Sequence, residues 1–190
     1  MLARLRDNWV YGGFLAAIML LALTPVLASG WSLPLLLIFL QLPIYMLHQY
    51  EEHDDDRFRR FVNSLIGNGD EVLSRMDTFV INMLGVWVFD TVAFWLAARV
   101  EIGFGLIAVY LSLVNGVGHL AQSVALRNYN PGLVTAVLLF IPLDVFTLWV
   151  LAGTGQVTWL HHTVGLAAAV FVHAVIILLV IARRRSLKLN

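Results

Sequence analysis

One short stretch, Tyr45-Met46-Leu47-His48-Gln49-Tyr50-Glu51-Glu52-His53, sets a histidine three and four residues before two adjacent glutamates. On an α-helix residues at those offsets share one face, so the His48 imidazole and the Glu51 and Glu52 carboxylates can reach a common point. Neighbouring carboxylates repel unless a cation or a proton relieves them. The spacing therefore offers metal ligation or general acid and base chemistry.

The elements that must carry this group are membrane spans. Of 190 residues, 60% are hydrophobic and 13% charged, and the mean hydropathy is +0.83, far from the balance of an ordinary soluble domain. A spanning helix needs ~20 mostly apolar residues, and six stretches qualify: about 9–29, 33–50, 77–98, 102–124, 131–152 and 160–182. The expected fold is all-α, a single integral membrane domain over 1–190 built as a six-transmembrane-helix bundle. Arg4 and Arg6 precede the first run, whose apolar part exceeds the ~7–15 residues of a signal peptide core, so it reads as an uncleaved anchor. Without cysteine, disulfides and thiolate zinc sites are excluded.

Charge placement sets the expected orientation. Arg4, Arg6, Arg57, Arg59, Arg60, Arg75, Arg127, Arg183, Arg184, Arg185 and Lys188 fall on one side of a six-span arrangement, and Arg99 alone on the other. The positive-inside rule then puts both termini in the cytoplasm, with a bacterial inner membrane as the expected location. Trp31, Trp95, Trp149 and Trp159 fall near the outer interface and Trp9 near the inner one, as an aromatic belt requires. Between spans two and three, Phe58, Phe61, Val62 and Leu65 recur at helical spacing, with Arg57, Arg59, Arg60 and Asn63 between them. That pattern predicts a short cytoplasmic interfacial helix, closed by the turn Gly67-Asn68-Gly69-Asp70.

Polar residues inside spans are costly and tend to face the bundle interior. At ~1.5 Å per residue, His48, Glu51, Glu52, Asn82, the stripe Ser112, Asn115, His119 and Gln122, and His173 all fall in the cytoplasmic half. Four spans thus contribute at similar depth, although Asn82 or His173 alone could serve as interhelical hydrogen-bond glue. Asp90 and Asp144 lie nearer mid-membrane, where they can line a proton path or cavity or accept local hydrogen bonds. His161 and His162 sit at the outer boundary and are not expected as ligands.

The HxxEE pattern differs by one residue from the HxxEH of inverted zinc peptidases, in which two histidines on one helical face bind zinc beside a glutamate base. A workable site takes His48 and one of Glu51 and Glu52, with His119 and His173 as further ligands, and holds a divalent metal such as zinc. The other glutamate then serves as base. Asn115, one turn from His119, can orient that histidine or polarise a substrate carbonyl. Metal-free acid/base chemistry by the glutamates is the open alternative.

Three ordered motifs carry a resemblance. His48-Gln49-Tyr50-Glu51-Glu52, Asn115-Gly116-Val117-Gly118-His119 and Tyr129-Asn130-Pro131-Gly132 resemble the HxxEE, NxxxH and YxPG motifs of the HXXEE family of small integral membrane proteins. The family has no established reaction; its motifs imply a membrane enzyme. Carried over, they mark His48, Glu51, Glu52, Asn115, His119, Tyr129, Pro131 and Gly132. Members often turn at Pro or Gly soon after the glutamates, whereas Asp54-Asp55-Asp56 follows here. Physically, Pro131 suits a helix start, and Gly132 permits close approach. Tyr129 stands at the expected cytoplasmic mouth, and Arg127 can hold a substrate phosphate or carboxylate headgroup.

The sequence supports a metal-dependent intramembrane enzyme that hydrolyses a lipid-like or membrane-embedded substrate. A metal-independent lipid isomerase or cyclase and a proton- or metal-coupled transporter remain as alternatives. The expected partner is membrane lipid, and no nucleic acid is expected.

Overall fold

The computed structural model describes residues 1–187, so Lys188 of the basic count lies outside the described residues. Six helices are long and apolar enough to cross a membrane, as an integral membrane protein requires. They are α1 (Leu2–Leu27), α2 (Leu33–His53), α4 (Arg75–Arg99), α5 (Ile102–Leu126), α6 (Leu133–Gly153) and α7 (Trp159–Leu187), with the short α3 (Arg57–Leu65) between α2 and α4. The bundle is all-α, and no strand occurs among the described residues. Its helices coincide with the predicted spans and overrun several of their ends, because polar end residues continue a helix past its apolar stretch.

The most buried spans are α2 and α5. Three apolar clusters stack along the bundle. Ile38, Ala97, Leu106, Val109 and Leu151 fill the end away from α3. Tyr45, Val86, Leu111, Phe140 and Val172 fill the middle. Val62, Val72, Leu73 and Val180 close the α3 end. Large apolar side chains such as Leu15, Val26, Leu138 and Phe171 face outward, the reverse of a soluble protein and suited to lipid.

Between α2 and α3, Asp55 (φ 53°) and Asp56 (φ 56°) take the left-handed conformation. Aspartate tolerates that region better than most residues, so the acidic triplet itself makes the turn between α2 and α3. The same carboxylates pair with the arginines of the interfacial segment: Arg57 with Asp54 (3.1 Å), Arg59 with Asp56 (3.1 Å) and Arg60 with Asp55 (2.6 Å). Arg75 also reaches Asp56 (2.7 Å). Asn63, which the pattern grouped with the arginines, is buried instead. Its Oδ1 accepts from the backbone N–H groups of Val72 (3.0 Å) and Leu73 (2.8 Å), tying α3 to the start of α4.

Ser74 and Asp77 form a capping box at the start of α4. Asp77 also pairs with Arg183, which joins that end of α4 to α7. Two π-helical turns, Met83–Val88 in α4 and Ala136–Phe140 in α6, flank the polar interior; such turns occur often at functional sites. The aromatic belt is partial. Trp95, Trp149 and Trp159 are exposed, but Trp9 is buried, with its ring 5.1 Å from that of His53.

Candidate metal centre

The last turns of α2 face the second half of α5, and His48, Glu52 and His119 meet in the bundle interior. One ligand atom from each lies within 4.8 Å of the others, and all three residues are buried. His48 Nε2 is 3.6 Å from Glu52 Oε2, and His119 Nε2 is 3.5 Å from Glu52 Oε1. These separations exceed ordinary hydrogen bonds. They match the ~3.4 Å between neighbouring ligands held at about 2.0–2.2 Å in a tetrahedral site. The group can hold a metal ion.

Neighbouring side chains decide which imidazole nitrogen is free. Thr135 Oγ1 donates to Glu51 Oε2 (2.5 Å) and lies 2.8 Å from His48 Nδ1. Its only hydrogen is committed to a carboxylate, so the hydroxyl accepts from His48 Nδ1–H, and Nε2 keeps its lone pair. His48 Nε2 is buried and has no hydrogen-bond partner. Asn130 does the same for His119. Its Nδ2 donates to the His119 carbonyl (2.8 Å), which orients the amide, and its Oδ1 lies 2.6 Å from His119 Nδ1. Both Nε2 lone pairs therefore point at the Glu52 carboxylate. Three acceptors converge where a cation would satisfy all of them.

Glu51 is placed elsewhere. Its carboxylate accepts from Val134 N (3.1 Å), Thr135 N (2.7 Å), Thr135 Oγ1 (2.5 Å) and Tyr129 Oη (2.9 Å). It anchors the first turn of α6, where an anion is favoured by the unpaired N–H groups. The two glutamates thus separate, one into the cluster and one onto a helix terminus. Tyr129, half-exposed, spends its hydroxyl on Glu51, and burial followed by that hydrogen bond raises its phenol above its ordinary value.

Gly132 links the motifs. Its backbone is left-handed (φ +100°), and a Cβ there would lie 2.7 Å from His48 Cε1 and 2.8 Å from His119 Cε1. Only glycine meets both requirements. The YxPG segment therefore clamps the other two motifs, Tyr129 through Glu51 and Gly132 through both histidines.

A cavity of about 240 Å³ adjoins the cluster, with Glu52, His53 and His119 in its wall. Asn115, Gln122 and His173 line it as well. Of the two roles open to Asn115, orienting His119 falls to Asn130, which leaves contact with a substrate; the Asn115 Oδ1 is buried without a partner. His173 lines the cavity outside the three-residue group, its Nδ1 on the Ala169 carbonyl of its own helix (2.8 Å). Arg127 is exposed, takes a left-handed conformation (φ 50°) after α5, and is not in the cavity wall. Asn82 bridges helices, accepting from Gln49 Nε2 (2.7 Å).

Sequence reasoning passed over His53, Asn130 and Thr135. His53 Nε2 lies 2.9 Å from Glu52 Oε2, although a residue one position along a helix ordinarily points elsewhere. It lines both the cavity and a polar recess of about 170 Å³ on the other side, which includes Arg6, Asp56 and Arg75. His161, expected at a wet boundary, is buried, with Nε2 2.9 Å from Glu101 Oε2. Away from the cluster, Ser112 Oγ bonds both Gln41 (2.9 Å) and Asp144 (2.8 Å), while neither oxygen of buried Asp90 has a partner.

The model of a family described as "Protein of unknown function with HXXEE motif" matches residues 39–147, more than half of the chain. The chain belongs to the HXXEE family. No curated protein and no solved structure matches it. Every residue of the three-ligand group, together with Glu51, Thr135, Asn130 and Gly132, falls inside the HXXEE match, whereas α1 and α7 lie outside it.

Proposed function

We propose that this chain is an intramembrane metal-dependent enzyme that hydrolyses a lipid-like substrate at a site opening toward the cytoplasm. The observation that carries the reading is the convergence of two fixed imidazole lone pairs and one carboxylate on a single buried point. Two histidines and a carboxylate are a recurrent ligand set that leaves a position for water or substrate. Such an ion supplies Lewis-acid polarisation of a carbonyl or phosphoryl oxygen and activates water. Zinc suits the nitrogen and oxygen donors and the spacing.

The surrounding residues divide the remaining work. Thr135 and Asn130 hold the histidines in the ligating tautomer. A carboxylate only accepts, so His53 carries its hydrogen on Nε2 toward Glu52 and leaves Nδ1 to take up a proton; that nitrogen is buried and unpartnered. Because His53 borders both the cavity and the polar recess, it passes the proton toward water. The Asn115 amide, in the cavity wall, holds the substrate oxygen. The bias of basic residues toward the α3 end supports a cytoplasmic side for that end and for the site.

Elemental analysis of the purified chain tests this directly. About one divalent ion per chain is expected in wild type and background levels in His48→Ala and His119→Ala. Background metal in well-folded wild-type protein removes the reading. Lipid profiles of cells carrying Glu52→Gln address the substrate, which should accumulate.

A further inference from the structure

The cavity beside Glu52 and His119 also has a bilayer-facing side. Helices α5 and α7 pack tightly away from α3: a Cβ on Gly165 of α7 would lie 2.7 Å from the Leu106 carbonyl oxygen and 2.8 Å from Tyr110 Cδ2. Nearer α3 the same pair of helices lines the cavity, with Gly118 on α5 and Ile177 on α7 both exposed at its rim. Nothing lies within 4 Å of the place a Gly118 Cβ would occupy. The outward faces of the same two helices carry exposed apolar Val117, Leu120 and Val124 of α5 and Leu178 of α7, so both helices stand against hydrocarbon, and so does an opening between Gly118 and Ile177.

Inside, the wall changes character along its length. Val86, Val172 and Ile176 line an apolar part, and Glu52, His53 and His119 line the other. Gly118 is eight residues from the end of α5 at Leu126, about 12 Å at ~1.5 Å per residue. That depth suits the upper part of a lipid chain. At about 240 Å³ the space is smaller than the ~300–1,000 Å³ of pockets that enclose a whole ligand. It takes a segment of one chain while the rest of the molecule stays in the bilayer.

The geometry points to a lateral portal between α5 and α7, through which one acyl chain of a two-chain phospholipid of the α3-side leaflet enters the cavity and reaches Glu52 and His119. This assignment rests on the reading of the His48–Glu52–His119 group as an enzyme site, and it names the substrate class of that site. The side opening explains how a substrate held in a membrane reaches a buried site without leaving the lipid phase. The absence of a side chain at Gly118 keeps the portal open.

The test uses the full chain in nanodiscs of phosphatidylethanolamine and phosphatidylglycerol, with a small fraction of phosphatidylglycerol carrying a photoactivatable diazirine on one acyl chain. After illumination, labels are mapped by mass spectrometry. Wild type is expected to carry label on the cavity residues Val86, Val172 or Ile176 as well as on outward Leu178. Gly118→Trp, which meets open space in the fold, should cut cavity labelling at least tenfold and spare Leu178. Val117→Trp, one residue along and facing lipid, should leave both unchanged. Label confined to outward residues, or cavity label indifferent to Gly118→Trp, overturns the portal. Metal content measured on the same samples separates the two readings: cavity label without bound metal removes the metalloenzyme and keeps the portal, whereas bound metal without cavity label does the reverse.

Discussion

Two buried polar groups share the interior of this bundle, and they are built differently. In the His48–Glu52–His119 group each histidine has its second nitrogen held by a named neighbour, Thr135 or Asn130. In the group deeper in the bundle, Asp144 is held on one oxygen by Ser112 and left free on the other, and Asp90 has no partner at all. Burial is complete in both, so burial alone does not mark a site. What marks it is a supporting layer that aims lone pairs at one point. The aspartates lack that layer, and their unpaired oxygens carry a desolvation cost that nothing visible offsets.

Substitutions in the two groups test that contrast. The largest effect belongs to the group that could hold a metal: Glu52→Gln should reduce bound metal to background, while Asp90→Asn and Asp144→Asn retain the wild-type amount. Equal loss from both groups in elemental analysis would erase the distinction. Next, Thr135→Val and Asn130→Ala should weaken metal affinity about 10–100-fold, the range for residues that orient ligands. Isothermal titration of stripped protein measures this, and unchanged affinity would mean the tautomers are not set by these neighbours. Removing an unsatisfied buried carboxylate should help folding, so Asp90→Leu is expected to raise stability by about 1–3 kcal/mol. A loss in thermal unfolding would show that Asp90 holds a ligand after all.

The smallest effect lies at Tyr129, which is not in the cavity wall. Tyr129→Phe removes one hydrogen bond to Glu51 and should cost about 0.5–1.5 kcal/mol, at the low end because Tyr129 is half-exposed. The bond needs the protonated phenol, whose folded value is raised, by burial first and then by Glu51. Its contribution is therefore complete below the free phenol value of about 10 and lost as pH rises through the higher folded value. Stability of wild type relative to Tyr129→Phe should fall only above pH ~10; a difference that changes between pH 5 and 8 contradicts the assignment.

Much of this was legible in the chain. Long apolar runs read directly as spans, because a bilayer demands both length and hydrophobicity from each segment separately. His48, Glu52 and His119 were readable from helical spacing and shared depth. The difference between Glu51 and Glu52 was not, since both satisfy the same spacing from His48 and only the position of the α6 terminus separates them. The burial of Asn63 and of Trp9 is hidden from the sequence for a related reason. Each looks like a surface residue within its own segment, and each is buried by a neighbour distant in sequence, Val72 and Leu73 for one and His53 for the other.

Local composition and period were enough for the membrane class, the number of spans and the shared helical face of His48, Glu51 and Glu52. Tertiary structure alone decided which glutamate faces the histidines, which nitrogen each histidine presents, and that Gly132 clamps them together. Those outcomes depend on hydrogen bonds and contacts across 11 to 87 residues of chain, a range over which helical periodicity carries no information.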